Sequence, residues 1–472
     1  MQFILLIISS CFLYSLTTGI TGTGIIDSNN LDNYANQTVP NYITKDNTPI
    51  GNEITDEGAT LGRVLFYDKK LSLDNSTACA SCHQQQFAFG DTATASIGIA
   101  GTTGRHSMRL INSRFSDEDH FFWDERADSL EMQSTMPIQD HIEMGFSGGN
   151  GDPAIDSLIR KLVKIDYYND LFTLAYGDTV VTEHRMQKAL AQFIRSIQSF
   201  DSKYDIGRNA VPNDNTPFAN YTQQENLGKQ LFFAPPAAGG AGCDVCHRAP
   251  EFDIDPNTLN NGIIGSIGGG IDLTNTRAPS LRDLFNTSGV QNGPFMHTGA
   301  VSTLQGVINH YNLVIVDPNN TNLDPRLVVP GPGQPQGQNL QLTQNEKNAL
   351  EAFLKTLSGS DVYTNLKWSD PFDASGNLAI VGLTTSVEEV EDVEEVVEIS
   401  VYPNPTNGLL TINGIKDNHL VRIVDMKGAL HRSFELYADE TINLGFLNSG
   451  VYFIQLINQQ TQKVHIEKII KQ

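Results

Sequence analysis

The sequence predicts a mainly α-helical protein in which two related helical domains precede a small all-β domain. The first observation is an internal repeat: LGRVLF at 61–66 lies 13 residues before Cys79, and LGKQLF at 227–232 lies 11 residues before Cys243. The second is that apolar residues recur at helical spacing in both repeats. The third is a change after Trp368 to alternating apolar and polar residues between turn signals, which is typical of short strands.

Each repeat predicts a helix that leads into a cysteine cluster. Before the second cluster, Thr222 and Glu225 have the spacing of a capping box, and Leu227, Leu231 and Phe232 then recur on one helix face. The first repeat has apolar residues at the same positions. The same criteria predict two further helices, over 183–200 and 343–357.

These patterns divide the chain into five parts. They are a signal peptide at 1–18, a first helical domain at 45–210, a second at 216–370, an acidic linker at 371–399 and a β-domain at 400–472. The apolar run at the start ends in small polar residues, as signal peptides do, so we expect export to the periplasm. Because no other stretch is apolar enough to span a bilayer, we expect no transmembrane segment in the mature chain.

The charge limits the classes of partner. A formal net charge of -23 excludes nucleic acid, because phosphate binding requires a basic surface. Seven of the acidic residues lie in EEVEDVEEVVE at 388–398, where a solvated spacer is the simplest interpretation. The remaining charge favours a basic partner.

Four of the five cysteines lie in two Cys-x-x-Cys-His clusters, at 79–83 and 243–247. Two thiols one helical turn apart can bond the two vinyl groups of a haem, and the histidine that follows can bind its iron. The alternatives are a zinc site or a redox dithiol. About 160 residues separate the clusters and each is followed at once by histidine, which favours haem c. We therefore expect two covalently bound haems. The thiols that would attach them belong to Cys79, Cys82, Cys243 and Cys246, and the iron ligands would be His83 and His247.

The segment WDERADSLEMQSTMPIQDHIE contains three side chains suited to chemistry at an open haem face. Glu143 lies between apolar neighbours that would raise its pKa, and such a carboxylate can take a proton from peroxide and return it. Gln133 can hydrogen-bond the peroxide, and Trp123 can carry an electron between haems. The simpler alternatives are a loop carboxylate, a surface amide and a core aromatic.

From about residue 50 to 370 the chain resembles the bacterial di-haem cytochrome c peroxidase family, which includes MauG-type enzymes. The resemblance rests on RAPSLRDLF at 277–285, on GPFMHTGAVSTLQGVINHYN at 293–312, and on Phe122, Trp123, Asp124, Arg126, Ala127, Gln133 and Glu143. It implies two cytochrome c-like domains, the first peroxidatic and the second for electron transfer. It also implies that Trp123 bridges the haems and that Gln133 and Glu143 handle peroxide.

Two positions depart from the usual peroxidase pattern. Many members have a histidine after the first cluster that closes the resting site, and this chain has Ile99 there, so we expect an open first haem. A methionine usually lies 14 residues after the histidine of Pro-x-x-His. Counting from His297 gives Tyr311, as in MauG-type enzymes, so we expect this tyrosine as the second ligand of the second haem, with Met296 and His310 as alternatives.

The resemblance also implies a calcium ion between the haem domains. Three residues match its ligand positions: His106, Asn292 and Pro294. Calcium is a hard cation that binds through oxygen, much of it from backbone carbonyls.

The tail at 400–472 resembles the C-terminal sorting domain of proteins exported by type IX secretion. The turn YPNP, the strand SGVYFIQL and the basic end KIIKQ carry this resemblance. It implies an Ig-like β-sandwich, recognition by the type IX machinery, and a protein that is secreted or attached to the cell surface.

Together these features predict a peroxidase that reduces hydrogen peroxide to water with electrons from a small donor protein, either cytochrome c or a cupredoxin. A MauG-like oxidase of a protein or organic substrate is the first alternative. A di-haem electron-transfer protein without chemistry of its own is the second.

Overall fold

The structure is a computed structural model. It describes residues 22–472 apart from the segments 118–119, 255–256, 330–335, 384–398, 426–428 and 460–463. The predicted signal peptide and the run of acidic residues at 388–398 lie outside the described residues. The chain divides into two compact units at Leu383.

The first unit is mainly helical, as predicted. Its helices, in chain order, are α1 Asp56–Tyr67, α2 Cys79–Cys82, α3 Leu130–Thr135, α4 Ile155–Leu162, α5 Asp166–Tyr176, α6 Glu183–Ser196, α7 Lys203–Asn209, α8 Gln223–Phe233, α9 Leu304–Asn312, α10 Gln344–Lys355 and α11 Asp361–Thr364. Three short strand pairs accompany them: β1 Ile25–Asp27 with β6 Ala379–Val381, β2 His247–Arg248 with β3 Asp253–Ile254, and β4 Val328–Val329 with β5 Gln336–Gly337.

Two hydrophobic cores occupy the first unit. One is built around α1 and α6, and Cys79 packs against it. The other is built around α8 and α10, and Cys243 packs against it. Each cysteine cluster therefore has its own core. The domain limits 45–210 and 216–370 stay a prediction, which this division supports.

The repeated glycine in the two LG-x-x-LF segments explains how each core is assembled. At Gly62, an added Cβ would lie 2.0 Å from the carbonyl oxygen of Ala189 on α6. At Gly228, an added Cβ would lie 1.8 Å from the carbonyl oxygen of Ala349 on α10. Both helix pairs thus cross with their backbones in contact, and only glycine allows this approach.

The phenylalanine that closes each repeat also has an equivalent role. The rings of Phe66 and Phe193 lie 5.2 Å apart, and those of Phe232 and Phe353 lie 5.3 Å apart. Aromatic pairs at this separation stabilise a core beyond their buried area. The internal repeat in the sequence therefore corresponds to the same helix crossing in each half. In both halves a cysteine cluster follows the first helix of the crossing.

Helix ends agree with the capping signals in the sequence. Thr222 and Thr343 each accept a hydrogen bond from the backbone three residues on, and both form capping boxes. The predicted helix at 183–200 is shorter than expected, because α6 ends at Ser196 and Ile197 turns to extended backbone.

The acidic linker begins later than predicted. Phe372 is buried in the first core, and β6 pairs in parallel with β1. The start of the predicted linker is therefore folded, because Leu378 and Ile380 also pack against the first core.

The second unit is a β-structure. One sheet has the order β10 Leu430–Leu436, β9 His419–Asp425, β12 Gly450–Asn458 and β13 Val464–Lys471. The other has the order β11 Glu440–Asn443, β8 Leu409–Asn413 and β7 Ser400–Tyr402. Both are antiparallel, and alternate residues of both form one apolar cluster. The finer assignment to an Ig-like sandwich stays a prediction.

In the part of the chain that the structure describes, none of the helices combines the length and apolar character needed to cross a membrane.

Substituting either repeated glycine by alanine tests the helix crossings. We expect Gly62→Ala and Gly228→Ala each to destabilise the protein by about 1–3 kcal/mol or more, because the methyl group would displace a helix backbone. Gly104→Ala is the matched control, since an added Cβ there meets nothing within 4 Å. Denaturant unfolding measures the change. Equal stability of Gly62→Ala and Gly104→Ala would contradict this account of the crossing.

Candidate haem sites

The first cluster is presented by α2 and by the tight loop that follows it. His83 ends the helix, and its backbone N–H donates to the Cys79 carbonyl at 2.9 Å. The ring Nδ1 of His83 lies 3.1 Å from the carbonyl oxygen of Phe89. This contact makes Nδ1 the donor and leaves Nε2 as the nitrogen that can bind a metal. Burial lowers the pKa of His83, so the imidazole is neutral near pH 7.

A cleft with an internal volume of about 60 Å³ lies next to this histidine. Cys79, Cys82 and His83 line it together with Gln133 and Glu143. Most other lining residues are apolar; they include Phe66, Leu110, Met144, Leu190 and Ile194. The structure thus brings together five of the residues predicted from the sequence in one mostly apolar cleft, the character expected of a cofactor site.

The Glu143 carboxyl is held by a short turn. Asp140 Oδ1 accepts hydrogen bonds from the backbone N–H groups of Ile142 at 2.8 Å and Glu143 at 3.0 Å. Burial raises the pKa of Glu143 to about 7, the negative charge of Asp140 adds to the rise, and Arg126 opposes it. A carboxyl with this pKa can both accept and donate a proton at neutral pH.

Ile99 lies beside this turn. Its backbone N–H donates to the carbonyl oxygen of Glu143 at 3.2 Å, and the Ala100 N–H donates to that of Ile142 at 3.1 Å. Gly98 permits this contact, since an added Cβ would lie 2.2 Å from the Ile142 carbonyl oxygen. The loop after the first cluster therefore supports the Glu143 turn with its backbone, and its side chain at position 99 cannot bind a metal.

Gln133 is positioned by a buried ion pair that the sequence did not suggest. It lies on α3, which begins after Ser129, whose hydroxyl accepts from the Met132 N–H. On the same helix Glu131 accepts from Arg195 of α6 at 2.5 and 3.1 Å. Such a bidentate pair fixes α3 against α6 and so fixes the direction of Gln133.

Trp123 does not line the first cleft but lies between the two halves. It is buried, and its Nε1 donates to the His106 carbonyl at 2.6 Å. Its own carbonyl accepts from the Arg277 N–H at 2.7 Å, and its ring centre lies 6.3 Å from that of His297. An indole in contact with both halves suits the predicted bridging role. The sequence analysis assigned no role to His297, which is buried beside Trp123.

The second cluster begins with a single turn of 3-10 helix at Cys243–Val245, and His247 follows in β2. Burial lowers the pKa of His247 to about 4, which the Pro279 backbone partly opposes. Its Nδ1 is buried with no partner in hydrogen-bond geometry among the described residues. A neutral buried imidazole of this kind suits a metal ligand.

Asn261, which no sequence signal indicated, connects the three alternatives for the second ligand. Its carbonyl contacts His310 Nε2 at 2.9 Å, and its Nδ2 contacts Met296 Sδ at 3.7 Å. Its side chain also bonds the phenol of Tyr311, whose pKa is raised by burial and by the nearby Cys246 thiol. Tyr311 thus lies near the cysteines of the second cluster, and Met296 belongs to the core against which Cys243 packs, whereas His310 Nε2 already contacts a carbonyl oxygen.

These residues fit two haems. Each cluster offers two thiols and a neutral imidazole, and the first faces an apolar cleft. They do not fit one shared zinc ion, because the two cysteine pairs pack against different cores. Within the described ranges, no group of three or more His, Cys, Asp or Glu side chains could hold a metal ion.

The residues predicted to bind calcium fit poorly. The carbonyl of Asn292 accepts a hydrogen bond from the Arg109 guanidinium at 3.3 Å, so a positive charge already faces this oxygen. His106 contributes a ring whose Nδ1 contacts the Ala93 carbonyl at 2.9 Å, and nitrogen is not a favoured calcium ligand. The Asn292 Oδ1, in contrast, is buried with no hydrogen-bond partner among the described residues. Calcium binding therefore stays a prediction.

Comparisons with known proteins agree with this picture. Residues 56–210 match the family model described as di-haem cytochrome c peroxidase. The methylamine utilization protein MauG of Methylophilus methylotrophus is 29% identical over 320 residues, which cover 66% of this chain and 85% of that protein. The cytochrome c551 peroxidase of Nitrosomonas europaea is 26% identical over 314 residues, which cover 64% and 80%.

A solved structure and a second family model extend the comparison. The structure of a MauG-like protein associated with microbial copper homeostasis has a TM-score of 0.56 and 27% identity, and the match covers 71% of this chain and 99% of that one. Residues 400–472 match the secretion system C-terminal sorting domain.

Residues 56–210 therefore match the di-haem cytochrome c peroxidase and MauG family, and residues 400–472 match the secretion system sorting domain. The resemblances stated from the sequence are confirmed. The relatives carry both names, MauG and peroxidase, so the similarity defines the family and not the individual activity.

The electrostatic account of Glu143 can be tested with isosteric variants. In Asp140→Asn the hydrogen bonds of the turn can persist, but the negative charge is lost, which favours the ionised form of Glu143. The pKa of Glu143 should therefore fall below about 7, while burial keeps it above its ordinary value of 4.5. Arg126→Gln should raise the pKa of Glu143, because it removes the positive charge that lowers this pKa.

The protonated carboxyl band in pH-difference infrared spectra measures this pKa, and its absence in Glu143→Gln identifies the band. A pKa that is unchanged in Asp140→Asn, or that moves in the same direction in both variants, would rule out this account.

Proposed function

We propose that this protein is a di-haem c-type peroxidase that reduces hydrogen peroxide to water. The observation that carries the proposal is the first cleft, in which Glu143 and Gln133 share one cavity with Cys79, Cys82 and His83. A plain electron-transfer site has no need of a carboxyl with a pKa of about 7 in that position.

The cysteines of each cluster would hold a haem through two thioether bonds, with His83 and His247 as iron ligands. Bound haem supplies the two-electron cleavage of the peroxide O–O bond. The overall reaction joins hydrogen peroxide, two electrons and two protons into two water molecules.

The residues of the first cleft handle the protons. Ionised Glu143 takes a proton from the peroxide oxygen nearer the haem and delivers it to the far oxygen, which leaves as water. Gln133 orients the peroxide by hydrogen bonding. Ile99 offers no side-chain ligand, and the backbone of its loop supports the Glu143 turn, so this position would not block peroxide from a haem held by His83.

The second site would receive electrons from a small donor, either cytochrome c or a cupredoxin. Trp123, which contacts both halves of the unit, is the proposed route between the two sites. Tyr311 would complete the ligands of the second haem, supported by its position near Cys246 and its bond to Asn261.

Tyr311 also supports a second candidate function. A phenolate oxygen stabilises oxidised iron relative to a thioether, which would let the second haem share oxidising equivalents with the first. The protein would then oxidise a protein or organic substrate, as a MauG-like oxidase.

The sorting domain supports a proposal for location. We infer that the signal peptide directs the chain to the periplasm and that the type IX machinery recognises residues 400–472 and secretes the protein or attaches it to the cell surface.

Replacing Glu143 by glutamine tests the proposal directly. We expect peroxide turnover to fall about 10²–10⁴-fold, because the amide cannot transfer the proton. Both haems should remain attached, and wild-type activity should rise with pH through about 7 as Glu143 ionises. Glu57→Gln, in the first turn of α1, is the matched control and should leave turnover unchanged. Steady-state peroxide consumption with reduced cytochrome c, a cupredoxin or an artificial donor is the measurement.

Unchanged turnover in Glu143→Gln would show that another group moves the proton. A wild-type ferric spectrum with both haems low-spin and insensitive to cyanide would instead favour the electron-transfer alternative. Efficient turnover only with an organic or protein substrate would favour the oxidase.

The second ligand is tested by Tyr311→Met. We expect the reduction potential of the second haem to rise, because methionine opposite histidine favours ferrous iron more than phenolate does. Met296→Leu should leave that potential and the spectrum unchanged. Spectroelectrochemical titration measures both. The reverse result, a shift in Met296→Leu alone, would assign the ligand to Met296.

A further inference from the structure

Arg109 links the two halves of the first unit by main-chain contacts. It follows the His106 segment of the first half, and its guanidinium donates to two carbonyls of the second half. The Nη2 to Ser280 oxygen distance is 2.9 Å and the Nη1 to Asn292 oxygen distance is 3.3 Å. Among the described residues its Nε is buried with no hydrogen-bond partner. The side chain is therefore enclosed between the halves and is not a surface cation.

The position of Arg109 relates it to both haem-binding histidines. Its stem packs against Gly90, where an added Cβ would lie 2.9 Å from Arg109 Cγ. Gly90 follows Phe89, whose carbonyl orients His83. On the other side, Ser280 follows Pro279, whose backbone contacts His247.

The stem of Arg109 thus packs beside the loop that orients His83, and its guanidinium contacts the residue next to Pro279, whose backbone contacts His247.

The same guanidinium contacts the backbone carbonyl of Asn292, one of the three residues predicted to bind calcium. A calcium ion would bind the Asn292 carbonyl at about 2.3–2.6 Å and would need several more oxygens. It would then lie within a few ångströms of the Arg109 charge, where two cations repel. The Asn292 side chain is held in place, since its nitrogen donates to the Asp283 carbonyl at 3.0 Å and to the Tyr363 hydroxyl at 2.7 Å. Its Oδ1 has no hydrogen-bond partner among the described residues, so it is the one oxygen here that a calcium ion would still find open.

We propose that Arg109 replaces a calcium ion in this protein: its guanidinium joins the two haem domains, and its fixed charge raises the reduction potentials of both haems. A positive charge near iron stabilises the ferrous state relative to the ferric state. The effect on potentials rests on the proposed haem sites, whereas the replacement of calcium does not.

Calcium dependence of the wild-type holoprotein is the first test. We expect well under one tightly bound calcium per chain by elemental analysis, and the same melting temperature after EGTA and after added calcium chloride. One calcium per chain, with a melting temperature that falls in EGTA and recovers with calcium, would overturn the proposal. This measurement needs no variant and decides the question even if Arg109 variants fail to fold.

The second test compares Arg109→Met with Arg109→Lys. In Arg109→Met we expect both reduction potentials to fall, and in Arg109→Lys to stay close to wild type, because lysine keeps the charge. Arg160→Met, which removes an exposed positive charge on α4, should shift neither. Unchanged potentials in a folded Arg109→Met that retains both haem absorption bands would overturn the electrostatic role. Absence of haem bands in the wild type would instead reject the proposed function.

Discussion

The architecture depends on one kind of close contact that occurs in both halves of the helical unit. In the first half the backbone of α1 touches that of α6, and in the second half the backbone of α8 touches that of α10. Gly62 against Ala189 and Gly228 against Ala349 leave no room for a side chain. Because each crossing fixes the helix that precedes a cysteine cluster, it also fixes where the thiols and histidine emerge. The loops around them are long and irregular, and they need this rigid base to hold reactive groups in register.

The two sites differ in what surrounds the histidine. At the first, a carboxyl and an amide share an apolar cleft with the cluster, and burial shifts the carboxyl toward neutrality. At the second, Asn261 gathers a phenol, a thioether and an imidazole around the cluster. The same helix crossing thus supports one site with a buried carboxyl beside its cysteine cluster and another with a phenol near its cluster.

Much of this was predictable because its signals are local. The Cys-x-x-Cys-His clusters, the capping residues Thr222 and Thr343, and the alternation in the tail each depend on neighbours in sequence. Asn261, the Glu131 ion pair with Arg195, and Arg109 were missed because their partners lie far along the chain. The linker boundary was placed too early for the same reason, since Phe372 is buried by residues from the opposite end of the unit.

The parallel pairing of β1 with β6 ties together the two ends of the helical unit. The first and last strands of this unit are therefore hydrogen-bonded to each other before Leu383, where the compact unit ends. A cut in the chain after Leu383 would therefore leave both strands of this pair within the helical unit.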